Sequence, residues 1–189
     1  MGTDRLDEVL DAAYDCLTRY GVRRTTMDDI AASMGVSRSA VYQYVRGKDD
    51  AFRRLAGRLH EQALRRARDA ATADTPYEVR LHGVLAAKLD LVLQLAGDSP
   101  HAAELLDARA RVFGDICTSF TTELRALLTA LFTEAGTAAG VTPARAADIC
   151  VAQVVGLETA PRPRDLLAPA TRALATGLFA TDARPDDTP

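Results

Sequence analysis

The chain has 189 residues, close to half of them apolar, with 5% aromatics, no tryptophan and a net charge of −3. That composition suits one large or two small alanine- and leucine-rich helical domains, and no stretch reaches the roughly 18 uncharged residues of a membrane span. The chain is therefore expected to be cytoplasmic, without a membrane partner. Three cysteines, Cys16, Cys117 and Cys150, lie far apart without Cys-x-x-Cys spacing or an adjacent histidine, and are expected to be buried thiols. No metal site and no cofactor follow from them. A Gly-rich phosphate loop, H-E-x-x-H and G-x-S-x-G are all missing, which argues against an enzyme and leaves no catalytic candidates.

The net charge hides an asymmetry. Residues 1–68 hold 13 Lys and Arg against 10 Asp and Glu, a balance of +3 that leaves −6 for the remainder. In this positive part, Leu6, Val9, Leu10, Ala13 and Leu17 form one apolar stripe, predicting a helix from about Asp4 to Tyr20 that Gly21 terminates.

Next, Thr26 followed by Asp29 has the form of a capping box, and Met27, Ile30, Ala31 and Met34 share one helical face. Gly35 supplies a sharp turn, with Val36 in the corner, and Ser37 is a good N-cap for a second short helix, Arg38 to Val45. Val41 and Val45 point one way. Arg38, Ser39, Tyr42 and Gln43 remain on the outside, a hydrogen-bonding set on a rod narrow enough for a DNA major groove. Arg19, Arg23, Arg24, Arg46 and Lys48 surround this pair of helices, and such a local patch attracts phosphate. Thr25 and Thr26 offer hydroxyls and amides for a phosphate clamp, though capping alone would also account for Thr26. Spacing alone also admits two amphipathic helices that bind nothing.

The stretch TTMDDIAASMGVSRSAVYQYVRGKDD resembles the helix-turn-helix of the TetR family of bacterial transcriptional regulators, matching at Thr25, Thr26, Ile30, Ala31, Gly35, Val36, Ser37, Val41, Tyr42, Tyr44, Lys48 and Asp49. It departs at Val45, where the family usually has phenylalanine, and at Phe52, where leucine is commoner; both changes stay apolar. The resemblance implies that Tyr42, Tyr44 and Lys48 touch operator phosphates. It also implies a homodimer on double-stranded DNA, with a helical ligand pocket for a small-molecule effector.

Further along, Phe52, Leu55, Ala56, Leu59, Ala63, Leu64 and Ala67 mark one face of a long helix reaching about Ala71, and 70–76 reads as a linker. A helix over 77–96 follows, stopped at Gly97 to Pro100. Ser99 to Val112 resembles a segment of TetR-family regulatory domains. A long helix is predicted from about Arg109 to Ala139. Pro143 opens the next, Pro161 and Pro163 break it, and a last helix runs from about Arg164 to Phe179. The polar tail reads as disordered.

The expected fold is all-α with about nine helices: a DNA-binding domain at 1–47, a regulatory and dimerisation domain at 48–181, and a disordered tail at 182–189. The last two helices are expected to build a dimeric four-helix bundle through Val151, Val154, Val155, Ala170, Leu174 and Leu178, unless these only complete the monomer core. Pocket candidates, following the resemblance, are Leu59, His60, Leu64, Leu85, Leu89, Leu106, Arg109, Phe113, Cys117 and Phe120, with His60 and Arg109 as polar anchors; each would serve equally as core. The expected function is a repressor that binds a palindromic operator as a dimer and is released by an effector. The alternative is a dimeric DNA-binding regulator with no small ligand, constitutive or controlled by a protein partner.

Overall fold

The computed structural model describes residues 2–96 and 114–180. The described residues form eight helices: α1 (Gly2–Arg24), α2 (Met27–Ser33), α3 (Arg38–Val41), α4 (Lys48–Thr72), α5 (Tyr77–Ala96), α6 (Gly114–Ala135), α7 (Pro143–Leu157) and α8 (Pro163–Leu178). The fold is all-α. Leu106, Arg109, Phe113, the segment Ser99 to Val112, the start of the long helix read from Arg109, and the tail at 182–189 lie outside the described residues.

Contacts divide the chain into two compact units, one drawn from Met1–Gln62 and Leu91–Phe120, the other from Ala63–Asp90 and Thr121–Pro189. In the first, Val9, Leu10, Ala13 and Leu17 of α1 are buried as the apolar stripe requires. Gly21, at φ 80° and ψ 169°, breaks α1 one residue after Tyr20. Thr26 accepts the Asp29 amide at 3.2 Å and donates its own amide to Asp29 at 2.8 Å, so both ends of the capping box close. Thr26, bonding through its hydroxyl and then its amide, holds the Asp29 carboxyl below the usual carboxylate range.

The turn between α2 and α3 is a Schellman closure. Gly35 sits at φ 65°, its amide donates to Ala32, and Val36 donates to Ala31 at 3.0 Å. Only glycine takes that conformation without strain.

The second short helix is tighter than its sequence suggests. Regular helix covers Arg38–Val41, and Gln43 and Tyr44 then donate to Ala40 and Val41, one residue nearer than in an α-helix. The physical reason follows in the chain: the Arg46 amide is captured by the Asp50 carboxylate at 2.9 Å, which pulls the backbone into the start of α4. Arg58 of α4 ties back to α1 through Asp7 at 3.2 Å and Asp11 at 2.6 Å.

In the second unit, a Cβ placed on Gly83 would lie 2.6 Å from the Ala70 Cβ, so α4 and α5 approach at a point where only hydrogen fits. Lys88 of α5, only 2% exposed, pairs with Glu158 at the end of α7. In the same unit, Arg80 binds Glu134, Arg125 binds Asp148 and Arg164 binds Asp90. α6 stops four residues earlier than the expected Ala139, because Gly136 turns the chain at φ 79°. Thr137 then pairs with Phe179 in an isolated antiparallel bridge, with Ala138 donating to Leu178 at 2.9 Å. The Phe179 ring stacks 4.8 Å from Phe132, which explains why the last helix ends there. Thr142 caps α7 ahead of Pro143, and Arg162, at φ 50°, makes the left-handed step before Pro163 opens α8.

Candidate nucleic-acid interface

Val41 and Val45 are buried, and that anchoring fixes which side of the α3 segment meets solvent. Ser37, Arg38, Ser39, Tyr42 and Gln43 are all exposed, Tyr42 by 42%. The four outward residues read from the sequence therefore share one open face. Ser37 accepts the Ala40 amide as N-cap, and its hydroxyl lies 2.9 Å from that of Ser39.

Arg38 is not a loose cation. Its guanidinium donates to the Tyr42 hydroxyl at 3.1 Å and to Asp28 at 3.2 Å, and stacks 5.5 Å from the Tyr42 ring centre. The Tyr42 hydrogen bond, then the Asp28 charge, push its pKa further above the arginine value, so it stays charged at every working pH. Asp28 was not among the sequence candidates. Its signal was weak: it stands in the first turn of α2, where an acid is expected for the helix dipole alone. It holds one edge of the Arg38 guanidinium, whose remaining N–H groups are open to other acceptors.

The remaining DNA candidates occupy different surroundings. Thr25 is fully buried; its hydroxyl donates to the carbonyls of Gly21 at 2.7 Å and Cys16 at 3.1 Å, and its amide donates to Gly21. That corrects its reading as half of a phosphate clamp: both groups are spent inside the fold. Thr26 is exposed but committed to the capping box. Tyr44 is half-buried. Lys48, also half-buried, donates to the carbonyls of Val22 at 3.0 Å and Arg23 at 3.4 Å, fastening the foot of α4 to the end of α1. Arg23, Arg24 and Arg46 are exposed.

Of the pocket candidates, Leu59, His60 and Phe120 are buried and Cys117 is half-buried in the first unit, while Leu64, Leu85 and Leu89 are buried in the second. Of the dimer candidates, Val151, Ala170 and Leu174 are partly exposed and Val155 is 46% exposed. Val154 and Leu178 are buried in the chain's own core, so neither is available to a second subunit. The sequence missed the apolar groups that do face out: Ile149 and Leu166, each 42% exposed, with open space above Gly156 and Gly177. A helical period identifies a stripe, but not which edge of it the core covers.

A capped two-helix turn with an anchored inner side and a basic, hydrogen-bonding outer side defines a helix-turn-helix protein. The sequence pattern described as "Bacterial regulatory proteins, tetR family" matches residues 9–55. Residues 9–55 thus carry the helix-turn-helix pattern of that family. The chain is 28% identical over 90 residues to the uncharacterized HTH-type transcriptional regulator YhgD of Bacillus subtilis, covering 48% of this chain and 47% of the relative. It is 32% identical over 109 residues to the HTH-type transcriptional regulator TtgR of Pseudomonas putida, covering 58% and 47%. The chain thus spans about half the length of these curated relatives. Among solved structures, SmeT, the repressor of the Stenotrophomonas maltophilia multidrug efflux pump SmeDEF, superposes with a TM-score of 0.66 at 22% identity, over 97% of both chains. SmeT in its complex with triclosan gives a TM-score of 0.65 at 21% identity, over 97% of this chain and 98% of that one. These superpositions establish the fold. No helix among the described residues is long and apolar enough to cross a membrane.

Proposed function

We propose that this protein is a sequence-specific transcriptional repressor that binds a palindromic operator as a homodimer and is released by a small-molecule effector. The observation that carries the reading is the exposed set Arg38, Ser39, Tyr42 and Gln43 on a segment pinned from behind by Val41 and Val45. Arginine paired to guanine and glutamine paired to adenine are the commonest side-chain readers of base edges. One such segment spans too few base pairs for a unique site, so two must be set about 34–36 Å apart. Exposed apolar groups on α7 and α8, Ile149, Val155 and Leu166, with open space above Gly156 and Gly177, support burial of these helices against a second copy. An effector is supported by the triclosan complex of SmeT, whose fold this chain shares.

The test is Arg38→Ala, titrated against a duplex selected by the unmodified protein. Affinity should fall by about 1–3 kcal/mol, with preference relaxed at one base pair of each half-site. A folded Arg38→Ala protein that binds with unchanged affinity and preference would refute the assigned role of this face.

A further inference from the structure

His60 and Cys117 are 57 residues apart in sequence and meet in the fold, the imidazole Nε2 lying 3.4 Å from the thiol sulfur. The other ring nitrogen, Nδ1, is 2.7 Å from the Ala56 carbonyl oxygen. A carbonyl only accepts, so Nδ1 carries a proton and Nε2 is the ring nitrogen that faces the Cys117 sulfur. Phe120 meets the ring edge-on, with centroids 5.5 Å apart and planes at 85°, which holds the imidazole in that orientation. Cys117 is half-buried whereas Cys16 and Cys150 are buried, and burial pushes the Cys16 thiol up and the Cys150 thiol to about 12. One thiol of the three therefore combines access with a neighbouring base.

We infer that Cys117 is a covalent modification site, a nucleophilic thiol served by His60 and suited to soft carbon electrophiles of the α,β-unsaturated carbonyl class. As sulfur attacks the β-carbon, the thiol proton passes to Nε2 and the new C–S bond forms. The alkene electron pair moves to the carbonyl as an enolate, and the imidazolium returns its proton to the α-carbon. The Ala56 carbonyl steadies the imidazolium meanwhile. The reaction is an addition, with no leaving group and no oxidant. It goes beyond the repressor reading, since the adduct is detected without DNA.

The experiment treats the full chain with less than one equivalent of N-ethylmaleimide and follows each cysteine by peptide mass mapping. Cys117 should react about tenfold ahead of Cys16 and Cys150, and faster than the same residue in the urea-unfolded chain. His60→Asn keeps a donor towards Ala56 and removes the base. Its rate at pH 7 should fall about tenfold, because only a few per cent of an ordinary thiol is ionised there, and should rejoin the unmodified protein near pH 10. Labelling of Cys117 no faster than in the unfolded chain, or a His60→Asn rate unchanged at pH 7, would overturn the proposal. If His60→Asn does not fold, the native-against-unfolded comparison decides alone: native faster supports it, native equal or slower overturns it.

Discussion

The α2–α3 headpiece and the Ala63–Asp90, Thr121–Pro189 unit are held together by different means. In the headpiece, the determining bonds span three to five residues: Thr26 with Asp29, Gly35 with Ala32, Val36 with Ala31, Ser37 with Ala40, Arg46 with Asp50. In the second unit they join helices distant in the chain: Lys88 with Glu158 across 70 residues, Arg80 with Glu134 across 54, Arg164 with Asp90 across 74. Short-range closure gives a recognition surface whose shape is set locally. Long-range pairing of charge, buried at Lys88 and Glu158, makes the arrangement of the helices depend on a few partners that no local preference supplies.

The sharpest way to break that contrast is Lys88→Met, which removes the ammonium paired with Glu158 in surroundings where that carboxylate is only 11% exposed. Such a loss costs about 3–5 kcal/mol, and the double variant with Glu158→Leu should recover most of it, as urea unfolding would show. If the single variant lost less than about 1 kcal/mol, the long-range pair would not be what orders this unit. Second comes Gly35→Ala in the headpiece. A side chain forced to φ 65° should cost about 1–2 kcal/mol, although the space around Gly35 is open and packing would be untouched. An unchanged unfolding midpoint would mean that the turn is not the local determinant.

Cys150 gives a pH test within the second unit. Its folded pKa is raised by burial, to about 12 from an ordinary 9.0, so its contribution is complete below pH 9 and is lost as pH rises through 12. Cys150→Ala should lack that alkaline loss, and its stability relative to the parent should improve steadily above pH 9. Parallel stability curves for the two proteins would contradict the assignment. Smallest of all should be Arg125→Ala. Its pair with Asp148 is about half-exposed on both sides, and such pairs contribute below about 1 kcal/mol.

The same contrast explains what could be read from the residues alone. Gly21, the capping box, the Gly35 turn, the Ser37 cap and Pro143 at the start of α7 all announce themselves, because the groups that satisfy each other are neighbours in the chain. The outward set on α3 followed from Val41 and Val45 by periodicity. The meeting of His60 with Cys117 did not, nor did the turning inward of the Thr25 hydroxyl, because the partners belong to other elements. Val154 and Leu178 were misplaced for a related reason. Apolar spacing shows that a helix has a buried side, and when both flanks are apolar it does not distinguish the side facing the core from the side facing a second subunit. Asp28 beside Arg38 lies between these cases, ten residues away but across the turn.

The most direct test of the central claim is selection of bound duplexes from a random pool by the purified protein, repeated with Arg38→Ala. The expected result is an enriched inverted repeat with half-sites about one helical turn, 10–10.5 base pairs, apart, bound by a dimer with steep salt dependence and degraded at one position per half-site in the variant. Recovery of no symmetric sequence, with only weak salt-sensitive binding identical in both proteins, would contradict the account of the α3 face as a paired reader of DNA.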